Sequence, residues 1–177
     1  MPLIRDVVEE LEVGTDVHLP PEEVFAFLLD FPRYANYSEY LESVESFGDG
    51  GVGTEYALTF TWWKVNYTVR SRVTTIERPE RIEFRLVTGL RANGAWTVEP
   101  TGDGDSHVRF LAQYDPDSVA GDAVSLPSFV SVGRVVEKVM PFLTEEAERV
   151  VERVVADLEG ERRPVDLEVS RRSTDGP

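Results

Sequence analysis

The chain contains 177 residues, with 33 acidic and 18 basic side chains and a net charge of −15. This length fits one domain with a core of its own, which we place at residues 1–160. The acidic balance disfavours nucleic acid as a partner, because attraction to phosphates requires a basic surface. The absence of cysteine excludes disulfides and thiolate chemistry.

The remaining composition bears on where the protein works. No stretch approaches the roughly 20 apolar residues of a membrane span, and the N-terminus does not resemble a signal peptide, so we expect a cytoplasmic protein. The only lysines are Lys64 and Lys138, and this acid-rich, lysine-poor composition is typical of proteins that work in concentrated salt. An acidic surface that recruits a basic partner is the alternative. His18 and His107 lie far apart in sequence, so we expect no metal site. His18 is out of phase with the buried face of its strand and His107 lies beside a turn, so we expect both to be solvated.

The first elements can be read from alternation and from proline. Residues 9–19 alternate, which predicts a half-buried strand with Leu11, Val13 and Val17 on its buried face. Two prolines and two acids at residues 20–23 predict the start of a helix that Pro32 stops. Residues 33–41 predict a second short helix. The glycine-rich residues 48–53 predict a hairpin turn, because no Lys-Ser/Thr follows as in a phosphate-binding loop.

Residues 54–114 alternate repeatedly between apolar and polar side chains. This pattern predicts consecutive strands of an antiparallel sheet with one buried and one solvated face. Tyr67 lies in the middle of a strand among buried positions. The charged side chains in this region have the opposite phase, which predicts cross-strand ion pairs on the solvated face. These side chains are Arg70, Arg72, Glu83, Arg85 and Arg109.

The period then changes from two to between three and four. Apolar residues at these steps predict a helix of about 28 residues over 131–158, with Gly160 as its stop. Pro141 is expected to kink or divide this helix, because proline removes a backbone hydrogen bond. The connection 115–127 is small and polar. It is either a plain connection between the last strand and the helix or a lip over the mouth of a pocket. Residues 161–177 predict a flexible tail.

Grouped strands with helices at the ends of the chain predict an α+β fold. We expect a curved antiparallel sheet of about six or seven strands, with two short helices after the first strand. The long C-terminal helix is the element able to cover its apolar face. One helix cannot fill the whole concavity, so a mostly apolar pocket is expected between helix and sheet.

The order of these motifs resembles the START-like helix-grip superfamily. The opening strand, the run PPEEVFAFLLDFPRY at residues 20–34, the turn before Gly53-Thr54, and Trp96 followed by a Gly-Asp turn carry the resemblance. It covers residues 9–160 and is greatest to the polyketide cyclase/dehydratase and coenzyme Q-binding subgroup. The resemblance implies a helix-grip fold around a ligand pocket. The superfamily includes catalysts, carriers and interaction modules, so the fold alone implies no single function.

Binding or transport of an apolar or aromatic small molecule, such as a lipid, an isoprenoid or a polyketide-like compound, is the leading hypothesis. A cyclase or dehydratase is the second, with Tyr67 as the candidate acid or base, and a protein-interaction module is the third. We expect no cofactor and no metal. The predicted ligand-binding residues share the buried phase of the sheet or the inner side of the long helix. They are Tyr56, Leu58, Phe60, Trp62, Tyr67, Phe84, Trp96, Phe110, Tyr114, Val136 and Met140.

Overall fold

The computed structural model describes residues 8–62, 65–88, 91–115, 124–125 and 132–174. The order of elements is strand, helix, 3-10 helix, a series of strands, a long helix and a final strand. They are β1 (Val8–Val17), α1 (Pro21–Leu29), a 3-10 helix (Phe31–Asn36), β2 (Leu41–Phe47), β3 (Glu55–Trp62), β4 (Val65–Glu77), β5 (Arg81–Leu86), β6 (Arg91–Gly102), β7 (Asp105–Asp115), β8 (Val124–Ser125), α2 (Val132–Glu159) and β9 (Glu168–Thr174).

The strands form one curved antiparallel sheet in the order β2-β3-β4-β5-β6-β7-β1-β9. The short β8 pairs with β4 beside this path, and β2 and β9 are the two open edges among the described residues. This architecture confirms the predicted α+β helix-grip fold. The main path has eight strands rather than six or seven, because β9 adds a strand from the region predicted as a tail.

The two helices after β1 follow from local chemistry. Pro21 is the first residue of α1, where the missing N–H costs nothing, and Glu22 and Glu23 lie beside its positive end. The second predicted helix is a short 3-10 helix that begins at Phe31, earlier than expected. With Pro32 near its start, it continues the chain directly from α1 and brings aromatic side chains against the sheet.

The long helix α2 has 28 residues, as the spacing predicts. It runs through Pro141 without a division, and Gly160 follows it with a φ of 78° that favours glycine. Its C-terminal half packs on the sheet through Val155, which is 1% exposed, and through Val151 and Val154. This packing holds α2 against the concave face.

Part of the predicted tail belongs to the sheet. Residues 168–174 form β9, and the whole of β9 pairs with residues 8–14 of β1. Val13 lies opposite Val169 and Leu11 lies opposite Arg171. Val165 is buried in the core, and the Thr15 hydroxyl donates to the Asp166 carbonyl oxygen at 3.2 Å. The expectation of a flexible tail is therefore not met over this stretch, because backbone pairing with β1 orders residues of polar composition.

The end of α2 is joined to this segment through Glu159. Its carboxylate accepts hydrogen bonds from Arg163 Nε at 2.8 Å and from the His18 backbone N–H at 3.0 Å. The bond from Arg163 is the main cause that lowers the pKa of Glu159. A lowered pKa in the folded state adds stability above the unfolded pKa of about 4.3, and that stability is lost as the pH falls through the folded value.

Glu159→Gln is expected to lower the free energy of unfolding by about 1 kcal/mol at pH 7, because the charge-assisted bonds are weakened. The difference from the unsubstituted protein should be smaller at pH 3, because lowering the pH toward the folded-state pKa of Glu159 removes the contribution of its charge. Urea unfolding at both pH values measures it. The control is Glu152→Gln on the exposed side of the same helix, expected within about 0.5 kcal/mol of the original protein. A difference that stays constant with pH would contradict this role.

Candidate functional site

The pairing register defines which side chains face α2. Trp96 of β6 lies opposite Phe110 of β7, and their ring centroids are 4.7 Å apart. Tyr34 of the 3-10 helix contacts the same tryptophan at 6.4 Å, so this face is the one that the helices cover. Positions two residues apart share a face, which places Ala112 and Tyr114 on the concave side with Phe110.

An aromatic cluster closes one part of the concave face. Phe31 contacts Tyr56 at 4.8 Å and Phe84 at 6.0 Å between ring centroids. Phe84 stacks on Phe110 at 6.1 Å, which links the 3-10 helix to the middle of the sheet. Tyr56 is only 4% exposed. Of the predicted lining residues, Tyr56 is thus placed in the packed core beside Phe31.

Tyr34 anchors this cluster. Its hydroxyl donates to the Leu28 carbonyl oxygen and accepts a hydrogen bond from Trp96. Burial raises the pKa of Tyr34 well above its usual value, and the charge of Asp30 adds to the rise. The hydroxyl therefore stays neutral and holds Trp96 in place. Nothing in the sequence pattern predicted this bond, since it joins two helices and a strand.

Burial changes along the concave face. At the end near α1, the following inward side chains are buried: Val17, Val73, Ile82, Val98 and Val108. Toward the other end, Val69 is also buried, but several inward apolar side chains keep accessible surface. These half-buried residues are Leu58, Phe60, Tyr67, Phe84, Phe110 and Tyr114. An apolar side chain that faces the covered side of a sheet and is still accessible borders unfilled space.

Small residues lie between the aromatic cluster and Tyr114. Ala92 and Gly94 of β6 face the same side as Ala112 of β7. The ring of Phe84 lies over Gly94, and an ideal Cβ at this glycine would be 2.5 Å from Phe84 Cζ. Glycine is therefore required for the phenylalanine to reach Phe110 across β6.

A polar group lies at the far end of the concave face. The Tyr114 hydroxyl donates to Glu9 Oε2 at 2.9 Å, and Arg171 Nη2 is 3.8 Å from the same oxygen. Burial, followed by the hydrogen bond to Glu9, raises the pKa of Tyr114. The sequence interpretation placed no charged group on this face. The alternation of β1 contained the signal, because Glu9 is two residues before Leu11.

The remaining predicted site residues are placed as follows. Tyr67 lies opposite Phe60 of β3 and opposite Val124 of β8. The side chains of Trp62, Val136 and Met140 lie outside the part of the chain that the structure describes. The same is true of most of the predicted lip at 115–127, of which Asp115 and the two residues of β8 are described.

The predicted solvated face carries the ion pairs expected of it. Glu55 lies opposite Arg72, and its carboxylate binds Arg72 Nη2 at 2.7 Å and Arg70 Nε at 2.6 Å. Arg72 is the main cause that lowers the pKa of Glu55. Arg109 lies 3.9 Å from Glu12. These contacts confirm that the arginines belong to the convex face.

Each histidine is paired with an aspartate. His18 Nδ1 lies 3.1 Å from Asp105, and His107 Nδ1 lies 2.7 Å from Asp16. The His18 side chain is 54% exposed, as predicted, whereas that of His107 is 15% exposed. The prediction of a solvated His107 was wrong, because β1 packs beside this ring and Gly14 leaves room for it.

Residues 9–159 match the family model described as polyketide cyclase / dehydrase and lipid transport. The chain belongs to this family. The match covers β1 to the end of α2 and confirms the resemblance inferred from the motifs. No curated protein matches the chain.

Several solved structures share the fold of this family member. The Zhui aromatase/cyclase from Streptomyces sp. R1128 has 16% identity and a TM-score of 0.68 over 86% of this chain and 94% of that chain. TTHA0849 from Thermus thermophilus has 18% identity and a TM-score of 0.62, over 85% and 97%. Norcoclaurine synthase from Thalictrum flavum, in complex with dopamine and hydroxybenzaldehyde, has 16% identity and a TM-score of 0.57, over 89% and 91%.

None of the helices described in this family member is long and apolar enough to cross a membrane.

Proposed function

We propose that this protein binds an apolar or aromatic small molecule between the concave face of the sheet and α2. The observation that carries the proposal is the change in burial along that face. Valines and Ile82 at one end are buried, whereas several inward aromatic and aliphatic side chains at the other end keep accessible surface. Such apolar, partly accessible surface on the covered side of a sheet is what a small apolar ligand would bury.

The family supports a small-molecule ligand, because its description includes both polyketide chemistry and lipid transport. The complex of norcoclaurine synthase with dopamine and hydroxybenzaldehyde shows that a protein of this fold can hold aromatic compounds, which is support by analogy of fold. A lipid, an isoprenoid or a polyketide-like compound fits this proposal. A catalytic role for Tyr67 stays a prediction, and so do the ligand contacts of Trp62, Val136 and Met140.

The proposed ligand site is lined by large aromatic side chains at one end and by small side chains in the middle. Phe84, Phe110 and Trp96 offer flat apolar surfaces on which a ring can stack. Ala112 follows Phe110 on the concave face and Ala92 lies opposite Tyr114, and these small side chains leave room above the strands. Leu58, Phe60 and Tyr67 continue the apolar surface on β3 and β4.

Ala112→Trp is expected to weaken binding of para-methylbiphenyl at least about tenfold, because an indole would occupy the space above β7. Isothermal titration calorimetry measures the affinity. The matched control is Gln113→Trp, the next residue on the convex face, which should bind like the unsubstituted protein. Absence of binding by the unsubstituted protein, with no apolar compound in native mass spectra of freshly purified protein, would contradict the proposed function. An equal loss of affinity in Ala112→Trp and Gln113→Trp would contradict a binding site on the concave face.

As part of the same proposal, we infer that the protein functions inside the cell in concentrated salt, which its acidic, lysine-poor composition supports. At about 1 M salt the Debye length is roughly 3 Å, so repulsion among surface carboxylates is largely screened. Binding measurements therefore belong in concentrated salt, where an apolar contact is retained and surface charge contributes little.

A further inference from the structure

The polar group at the far end of the concave face, formed by Glu9, Tyr114 and Arg171, is built from three strands. Tyr114 comes from β7, Glu9 from β1 and Arg171 from β9, and all three lie on the concave face by their pairing register. The contacts of the carboxylate with Tyr114 and Arg171 both go to one oxygen, Glu9 Oε2. The other oxygen, Oε1, accepts no hydrogen bond from the described residues. A carboxylate has room for several donors.

The position of this polar group relates it to the proposed ligand site. Phe110 and Tyr114 are four residues apart on β7 and point to the same face. At about 3.3 Å per residue this separation is roughly 13 Å. Between them the face is formed by Ala112, with Gly94 opposite it on β6 and Leu11 opposite it on β1. One end of the site is therefore aromatic, the middle is apolar, and the far end offers a hydrogen-bond acceptor.

The electrostatics of the group favour a neutral donor. Tyr114 stays protonated near neutral pH, because burial and Glu9 raise its pKa, so its proton is committed to Glu9 Oε2. The Glu9 side chain is 32% exposed, so a ligand can reach it. A ligand carboxylate or phosphate at this point would meet the charge of Glu9, and like charges repel.

We propose that Glu9 Oε1 accepts a hydrogen bond from a hydroxyl group of the ligand, whose apolar body extends along Ala112 toward Phe110. The group thus selects hydroxylated aromatic or alicyclic compounds over anionic lipids. This inference rests on the proposed function and specifies the substrate class of the same site. Arg171 is a positioning residue, because it orients Glu9 from the edge strand.

Three ligands of one shape test this selectivity by isothermal titration calorimetry: para-hydroxybiphenyl, para-methylbiphenyl and para-biphenylcarboxylate. The unsubstituted protein is expected to bind the hydroxyl compound about tenfold more tightly than the methyl compound, as a hydrogen bond to a charged group implies. The carboxylate compound should bind most weakly. In Glu9→Met the preference for hydroxyl over methyl should disappear.

The matched control is Glu12→Met on the same strand, where the side chain faces the convex side beside Arg109. It should keep the tenfold preference. If Glu9→Met does not fold by circular dichroism, Glu9→Gln replaces it, and removal of the charge should reduce the preference several-fold. Retention of the full preference in the Glu9 variant that folds would overturn the inference.

The two proposals fail in different ways. Equal binding of the hydroxyl and methyl compounds by the unsubstituted protein would overturn the role of Glu9 while the proposed function stands. Equal loss of preference in the Glu9 and Glu12 variants would also overturn that role. Failure of all three compounds to bind would overturn this inference, and the proposed function falls as well if native mass spectra of freshly purified protein show no apolar compound.

Discussion

Removal of all residues after Gly160 is expected to lower the free energy of unfolding by at least about 3 kcal/mol. The truncation deletes Val165, which is 6% exposed, and burial of a valine side chain contributes roughly 1.5–3 kcal/mol. It also removes Arg163 from the largely buried Glu159, which leaves a carboxylate without its main partner. Finally, it exposes the edge of β1 that β9 pairs.

Urea unfolding followed by circular dichroism measures this loss. The control is truncation after residue 174, which keeps all of β9 and should leave the midpoint unchanged. Val165→Ala tests the core contact alone, because β9 is kept in this variant. It is expected to lower the free energy of unfolding by about 1.5–2.5 kcal/mol. A chain ending at residue 160 that is as stable as the full chain would restore the predicted boundary of the domain and contradict a structural role of β9.

Gly94→Ala is expected to destabilise the protein by about 1–3 kcal/mol and to weaken binding of aromatic ligands. The added Cβ would lie 2.5 Å from Phe84 Cζ and 2.7 Å from Cε2, so the phenylalanine must move. The neighbouring ring of Phe110 limits where it can go. The displaced ring therefore enters the space that we assign to the ligand.

A double-mutant cycle identifies this contact as the cause. Phe84→Leu removes the outer ring atoms, so Gly94→Ala should cost less than about 0.5 kcal/mol in that background. Thermal unfolding and titration with para-methylbiphenyl measure stability and affinity for all four proteins. If the two substitutions add without interaction, the clash with Phe84 does not explain the effect.

Much of the architecture could be predicted from local patterns. The alternation of residues 54–114 predicted strands, and its phase placed Arg70, Arg72 and Arg109 on the convex face, as the ion pairs confirm. The three-to-four spacing predicted α2 and its stop at Gly160. These predictions succeed because side-chain direction repeats every two residues in a strand and every 3.6 in a helix.

Other features depend on which segments meet. Residues 168–174 have the composition of a tail, and they become β9 through backbone pairing with β1, at the opposite end of the chain. Composition does not report such pairing, since every residue other than proline carries the same backbone donor and acceptor.

The candidate site likewise has features that local patterns predict and features that depend on tertiary contacts. The sequence by itself determined the fold, the concave face and its aromatic side chains, because each follows from a local repeat. Only the tertiary structure decided that Tyr56 packs into the core while Phe110 stays accessible, and that Glu9, Tyr114 and Arg171 meet at the far end. The physical reason is that burial and hydrogen bonding depend on neighbours from distant parts of the chain, which no local pattern specifies.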